Sequence, residues 1–73
     1  MNLMKTYLAS KYTLTNREID VLNLVIKGYT NNEIAKLLNI STHTVKAHVT
    51  NILSKLAVSD RVQAAVKAVK YNL

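Results

Sequence analysis

Residues 30 to 56, TNNEIAKLLNISTHTVKAHVTNILSKL, decide the fold. Thr30 is followed three residues later by Glu33, the spacing of a capping box, in which each side chain satisfies a backbone N–H that the first turn of a helix leaves unpaired. The apolar residues Ile34, Ala35, Leu37 and Leu38 then recur at helical spacing, which gives a helix of about two turns. Asn39 follows, the residue that tolerates positive φ best after Gly, so the chain can turn tightly there into Ile40 and Ser41. Ser41 caps the next helix, Thr42 to about Leu56, whose inner face is Val45, Val49, Ile52 and Leu56 at spacings of four, three and four.

Two helices joined by a three-residue turn, the second polar on its outer side, describe a helix-turn-helix, a corner that sets its second helix into the major groove of duplex DNA. Steric demands account for the residue types. Ala35 is small where the two helices approach, Asn39 bends the chain, and Ile34, Leu38, Ile40 and Val45 fill the wedge between them. His48, one turn after Val45, stands where the general pattern prefers an aliphatic residue.

Working outward, Thr15 and Glu18 repeat the capping box and open a helix that runs to about Lys27. Ile19, Val21, Leu22, Val25 and Ile26 form its apolar stripe, and Gly28, the only glycine, supplies a left-handed end. A fourth helix starts near Ser59 or Asp60 and continues to about Lys70. Residues 1 to 13 carry only weak helical patterning and read as a variable lead-in, with 14 to 73 as the domain proper. The expected fold is therefore all-α, a four-helix bundle with a central helix-turn-helix.

Composition agrees. A chain of 73 residues has room for one hydrophobic core. Ten Lys and Arg against four Asp and Glu leave a net charge of +6, which predicts attraction to a polyanion. From Ile34 to Ser59 and again from Arg61 to Leu73 there is no acidic residue, whereas Glu18, Asp20, Glu33 and Asp60 sit near helix starts, where the macrodipole favours anions. Cysteine is absent, which excludes disulfides and thiolate metal sites and suits a reducing cytoplasm. No apolar run is long enough for a signal peptide or membrane span, so a cytoplasmic protein without membrane association is expected. Nothing in the chain assembles a nucleophile with a base or a Gly-rich phosphate loop, so no enzyme, no cofactor and no small-molecule ligand is expected. His43 and His48 are five positions apart, about 140° around a helix, so no joint metal ligation is expected either.

Several blocks in the right order resemble the LuxR/GerE family of helix-turn-helix domains: LTNREIDVLNLVIKG at 14 to 28, TNNEIAKLLNIS at 30 to 41, TVKAHVTNILSKL at 44 to 56, and Arg61 with Gln63 and Ala64. In that family a His commonly occupies the position of His48. The resemblance runs from Leu14 to Ala68 and implies a domain of a bacterial transcription regulator that binds double-stranded DNA. It places Lys46, Ala47 and Thr50 at base edges, and Thr30, Asn31, Thr44, Asn51 and Lys55 at phosphates. It further implies a homodimer through the C-terminal helix, with RNA polymerase as a candidate further partner. One position departs. Many members carry Gly after the Lys-Leu pair where this chain has Ala57, so either a left-handed end there costs on the order of 1 kcal/mol or the turn closes differently.

Residue geometry leads to the same surface. With Val45, Val49, Ile52 and Leu56 buried, a step of about 100° per residue turns Lys46, Ala47, Thr50 and His43 outward, where a Lys can donate to guanine and an Ala methyl can meet a thymine methyl. On the fourth helix Ala64, Ala65 and Ala68 face the core, which leaves Val62, Val66 and Val69 as a second stripe suited to a two-fold partner or, alternatively, to more core. Lys27, Lys36, Lys67 and Lys70 read as ordinary solvated positions, and Tyr7, Tyr12 and Tyr71 as packing residues at the chain ends. Two competing identities remain: a promoter-binding module like region four of a sigma factor, against which the Thr44 to Lys46 block, His48 and the Val-rich last helix argue, and a small protein-interaction module using the Val62 stripe.

Overall fold

The computed structural model describes residues 11 to 72, with side chains described as far as Lys70. Four helices follow one another: α1 (Asn16–Ile26), α2 (Asn31–Leu38), α3 (Thr42–Leu56) and α4 (Arg61–Asn72), with no strand among the described residues. The all-α expectation and the order of elements hold. Tyr7 and most of the lead-in lie outside the described residues, as does the side chain of Tyr71.

Each helix begins where its sequence supplies a cap. Thr15 Oγ1 accepts from the Glu18 N–H at 3.1 Å while the Thr15 N–H donates to Glu18 Oε1 at 2.9 Å. Thr30 and Glu33 repeat the reciprocal pair at 3.2 and 2.8 Å. Ser41 Oγ accepts from the Thr44 N–H at 3.0 Å and also meets Thr44 Oγ1 at 2.8 Å. The last helix is opened by Asp60, whose Oδ1 accepts from the Gln63 N–H, while Gln63 Oε1 reaches back to the Ser59 N–H, both at 2.9 Å. Caps of this kind contribute on the order of 1 kcal/mol each.

Helix ends are closed by one device used three times. Gly28, Asn39 and Ala57 take φ of 90°, 56° and 57°. The following amides of Tyr29, Ile40 and Val58 then donate back to Leu24, Ala35 and Leu53, the six-to-one bond of a Schellman ending. At Ala57 the turn is thus closed in the left-handed form despite the Cβ, and of the two outcomes open at that position the chain takes the strained one. Thr13, a β-branched residue, also has φ of 59°, just before α1, a rare conformation for such a side chain.

The three turns fold the helices onto α3, which packs against each of the other three, while α1 also lies against α4. Ile19, Leu22, Ile34, Val45, Ile52 and Leu56 are among the side chains sealed in the centre. Burial of each adds about 1.5–3 kcal/mol. Ala35, Ala64 and Ala68 are buried where helices touch closely, and Val49, Leu38, Ile40, Ala65 and Tyr12 pack around this centre partly exposed. One expectation is overturned. Lys67 is not an ordinary solvated lysine: its Nζ donates to the Leu56 carbonyl at 2.7 Å and lies 5.2 Å from the Tyr12 ring centroid, so it caps the end of α3 and closes a cation–π contact across the domain.

Candidate nucleic-acid interface

Burial of Val45, Ile52 and Leu56 fixes the rotation of α3, and the opposite side is thereby presented to solvent. His43, Lys46, Ala47, Thr50 and Asn51 are all exposed and together line a shallow depression along the helix. Five of the residues singled out in the sequence for DNA contact therefore form one continuous surface. It carries one long cation, one imidazole, one hydroxyl, one amide and a methyl, with no acidic group, which suits the donor and acceptor edges of a major groove. Ser41 and the corner before it set the angle of this helix. Thr44, half-buried, has its hydroxyl against Ser41 and so helps hold the first turn.

Thr30 and Asn31 lie elsewhere, at the start of α2, where they line an open groove with Gly28, Tyr29, Arg61 and Val62. Thr30 accepts through its oxygen, which leaves the hydroxyl hydrogen available to a phosphate. Asn31 is held by a residue outside the set expected to touch DNA. Arg61 donates from Nη1 to Asn31 Oδ1 at 2.7 Å and from Nη2 to the Tyr29 carbonyl at 3.0 Å. The pairing spans 30 positions, and neither residue announces it locally.

Lys55 is also engaged within the fold. Its Nζ donates to Glu18 Oε1 at 2.8 Å and to the Thr13 carbonyl at 3.1 Å. Glu18 is buried, only 3% exposed. Burial pushes its carboxyl up, but the hydrogen bonds from Lys55 and the Thr15 N–H, together with the Lys55 charge, outweigh this and hold it below the ordinary glutamate value of 4.5. Lys55 therefore belongs first to the frame of the domain.

On α4, Val62, Val66 and Val69 are 69%, 64% and 39% exposed, whereas Ala64 and Ala68 are sealed. Of the two readings of this stripe, core is not what the described residues make of it: among them the valines are left over. No group of three or more His, Cys, Asp or Glu side chains able to hold a metal ion occurs among the described residues, and no helix there is long and apolar enough to cross a membrane.

Residues 12–68 match the model of a family described as bacterial regulatory proteins, luxR family. Among curated relatives, the uncharacterized transcriptional regulatory protein YhcZ of Bacillus subtilis is 60% identical over 62 residues, 85% of this chain and 29% of that protein. The response regulator protein VraR of Staphylococcus aureus is 50% identical over 72 residues, 99% of this chain and 34% of that protein, and VraR of Staphylococcus saprophyticus shows the same identity and coverage. The chain thus spans about a third of the length of these relatives.

Proposed function

This chain belongs to the luxR family of bacterial regulatory proteins, and on that premise we propose that it is a sequence-specific, double-stranded DNA-binding transcription regulator, or the DNA-binding part of one, that lays α3 in the major groove. A single observation carries the proposal. His43, Lys46, Ala47, Thr50 and Asn51 are gathered, exposed and free of acidic neighbours on the helix that the preceding corner projects. Lys46 and Thr50, with Ala47 and His43, face base edges; Thr30, Asn31, Thr44 and Asn51 address phosphates, and Lys55 adds its charge from the end of the helix. With only one long side chain aimed at base edges, readout is thin and most of the affinity comes from the backbone of the duplex.

The exposed Val62, Val66 and Val69 support a second component, a homodimer through α4 that engages a pseudo-palindromic site. The relatives named as a transcriptional regulatory protein and response regulators support action on transcription, and we propose that this action runs through RNA polymerase, by recruiting or blocking it, in the cytoplasm.

Selection of bound sites from random duplex DNA, followed by titrations at several salt concentrations, tests the proposal. Engagement of about six to eight phosphates gives a steep fall of log affinity with log salt, about 0.9 per phosphate. Lys46→Ala should cost about 1–3 kcal/mol and relax the preference at one base pair. A chain that enriches no sequence and responds weakly to salt is not a regulator of this kind.

A further inference from the structure

Arg61 is the first residue of α4, the helix with the uncovered valines, yet its guanidinium reaches the start of α2. The two acceptors it meets flank the start of the helix-turn-helix: the Tyr29 carbonyl in the turn before it and the side chain of Asn31, the first residue of α2. A guanidinium can only donate. The oxygen of the Asn31 amide must therefore face Arg61, and the two N–H donors of that amide are turned away from the cation. A phosphate needs donors, so the orientation imposed by Arg61 is the one that serves it. Left unheld, an amide can flip and offer its oxygen to the phosphate, which repels it.

We propose that Arg61 is a positioning residue for DNA binding, acting through Asn31: it fixes the amide of Asn31 with its N–H groups toward a phosphate, and its second bond, to the Tyr29 carbonyl, holds the guanidinium in the orientation this requires. This rests on the DNA-binding proposal above and names a residue to which that proposal gives no role. The planar fork of Arg is required, because its two nitrogens hold two acceptors in fixed directions, whereas a lysine ammonium is a single point on a flexible stem. Since Val62 is the next residue, one side chain also joins the helix offered to a partner copy with the helix offered to the sugar-phosphate backbone.

The test is a double-mutant cycle that keeps the net charge constant at Arg61. DNA affinity is measured by fluorescence anisotropy on a selected duplex for the unaltered chain, Arg61→Lys, Asn31→Ala and the double variant, with thermal melting alongside. Arg61→Lys should weaken binding about tenfold, the size of one hydrogen bond to a charged group. In the Asn31→Ala background the same change should alter affinity less than about twofold. Equal losses in both backgrounds overturn the proposal, because Arg61 then acts on DNA directly or only through stability. Asn31→Asp guards against a variant that fails to fold: it keeps and strengthens the bond to Arg61 but removes both amide donors. It should melt no lower than the unaltered chain and yet bind DNA at least about tenfold more weakly; binding at full strength would overturn the assignment. Absence of salt-dependent DNA binding by the unaltered chain would instead sink the functional proposal on which this one rests.

Discussion

The Lys55 ammonium stands 2.8 Å from Oε1 of the buried Glu18, and so fastens the last turn of α3 to the first turn of α1. The same carboxylate oxygen closes the capping box with the Thr15 N–H. One charged atom therefore holds both a helix start and a contact between helices 37 positions apart in sequence. Lys55→Met should lower stability by about 1–3 kcal/mol, since it leaves a buried carboxylate without its cation while the side chain of Lys55 is itself partly solvated. Urea denaturation checks this. An unchanged midpoint would mean that the Glu18 carboxylate finds water or another donor as readily as it finds Lys55. Any loss of DNA affinity in a Lys55 variant must accordingly be read beside its folding stability.

Glu18 also sets an acid limit. Because its carboxyl is held below the value of 4.5 that it has in an unfolded chain, the folded state gains stability that is fully present above that value. The gain is lost as pH falls from about 4.5 through the lower folded value. Urea midpoints measured from pH 6 down to pH 3 should therefore fall more steeply for the unaltered chain than for Glu18→Gln, which lacks the titrating group. Parallel curves would show that other carboxylates govern acid unfolding.

Ala57→Gly should stabilise the domain. The residue has φ of 57° and is exposed at the end of α3, so removal of its Cβ relieves about 1 kcal/mol of left-handed strain, less the extra freedom that Gly gains in the unfolded chain. Asn39→Ala, at φ of 56°, should destabilise by a comparable amount. Thermal melts of the two variants should move in opposite directions.

The valines of α4 supply a fourth expectation. Val62→Lys with Val66→Lys changes two side chains that are 69% and 64% exposed, so melting of the isolated domain should shift little. Binding to a two-half-site duplex should lose its cooperativity, while binding to a single half-site should hold or improve through the added charge. If both substrates respond alike, the stripe has no part in pairing two copies on DNA.

Much of this was legible in the sequence for a physical reason. Capping boxes and helical periodicity are local codes, so Thr15, Thr30, Ser41 and the faces of α1 and α3 could be placed from neighbours a few residues away. Burial of Val45 and exposure of Lys46, Ala47 and Thr50 follow directly from that period. Polar pairs between distant segments carry no such period. Arg61 with Asn31, and Lys55 with Glu18, depend on how the helices stack, which only the assembled core decides. The role of Lys67 escapes the sequence for the same cause: its partners, the Leu56 carbonyl and the Tyr12 ring, come from other parts of the chain. Ala57 shows the reverse limit, where the demand of the fold for a tight turn overrides the preference of the residue.

α3 is at once the mast on which the other three helices lean and the part that meets the outside world. A domain built this way has no inert chassis behind its exposed face. If α3 reads DNA as proposed, repacking at the buried Ile52 or Ala68 tilts the reading surface, so tolerance of the interior to substitution and fidelity toward a target are coupled in this molecule.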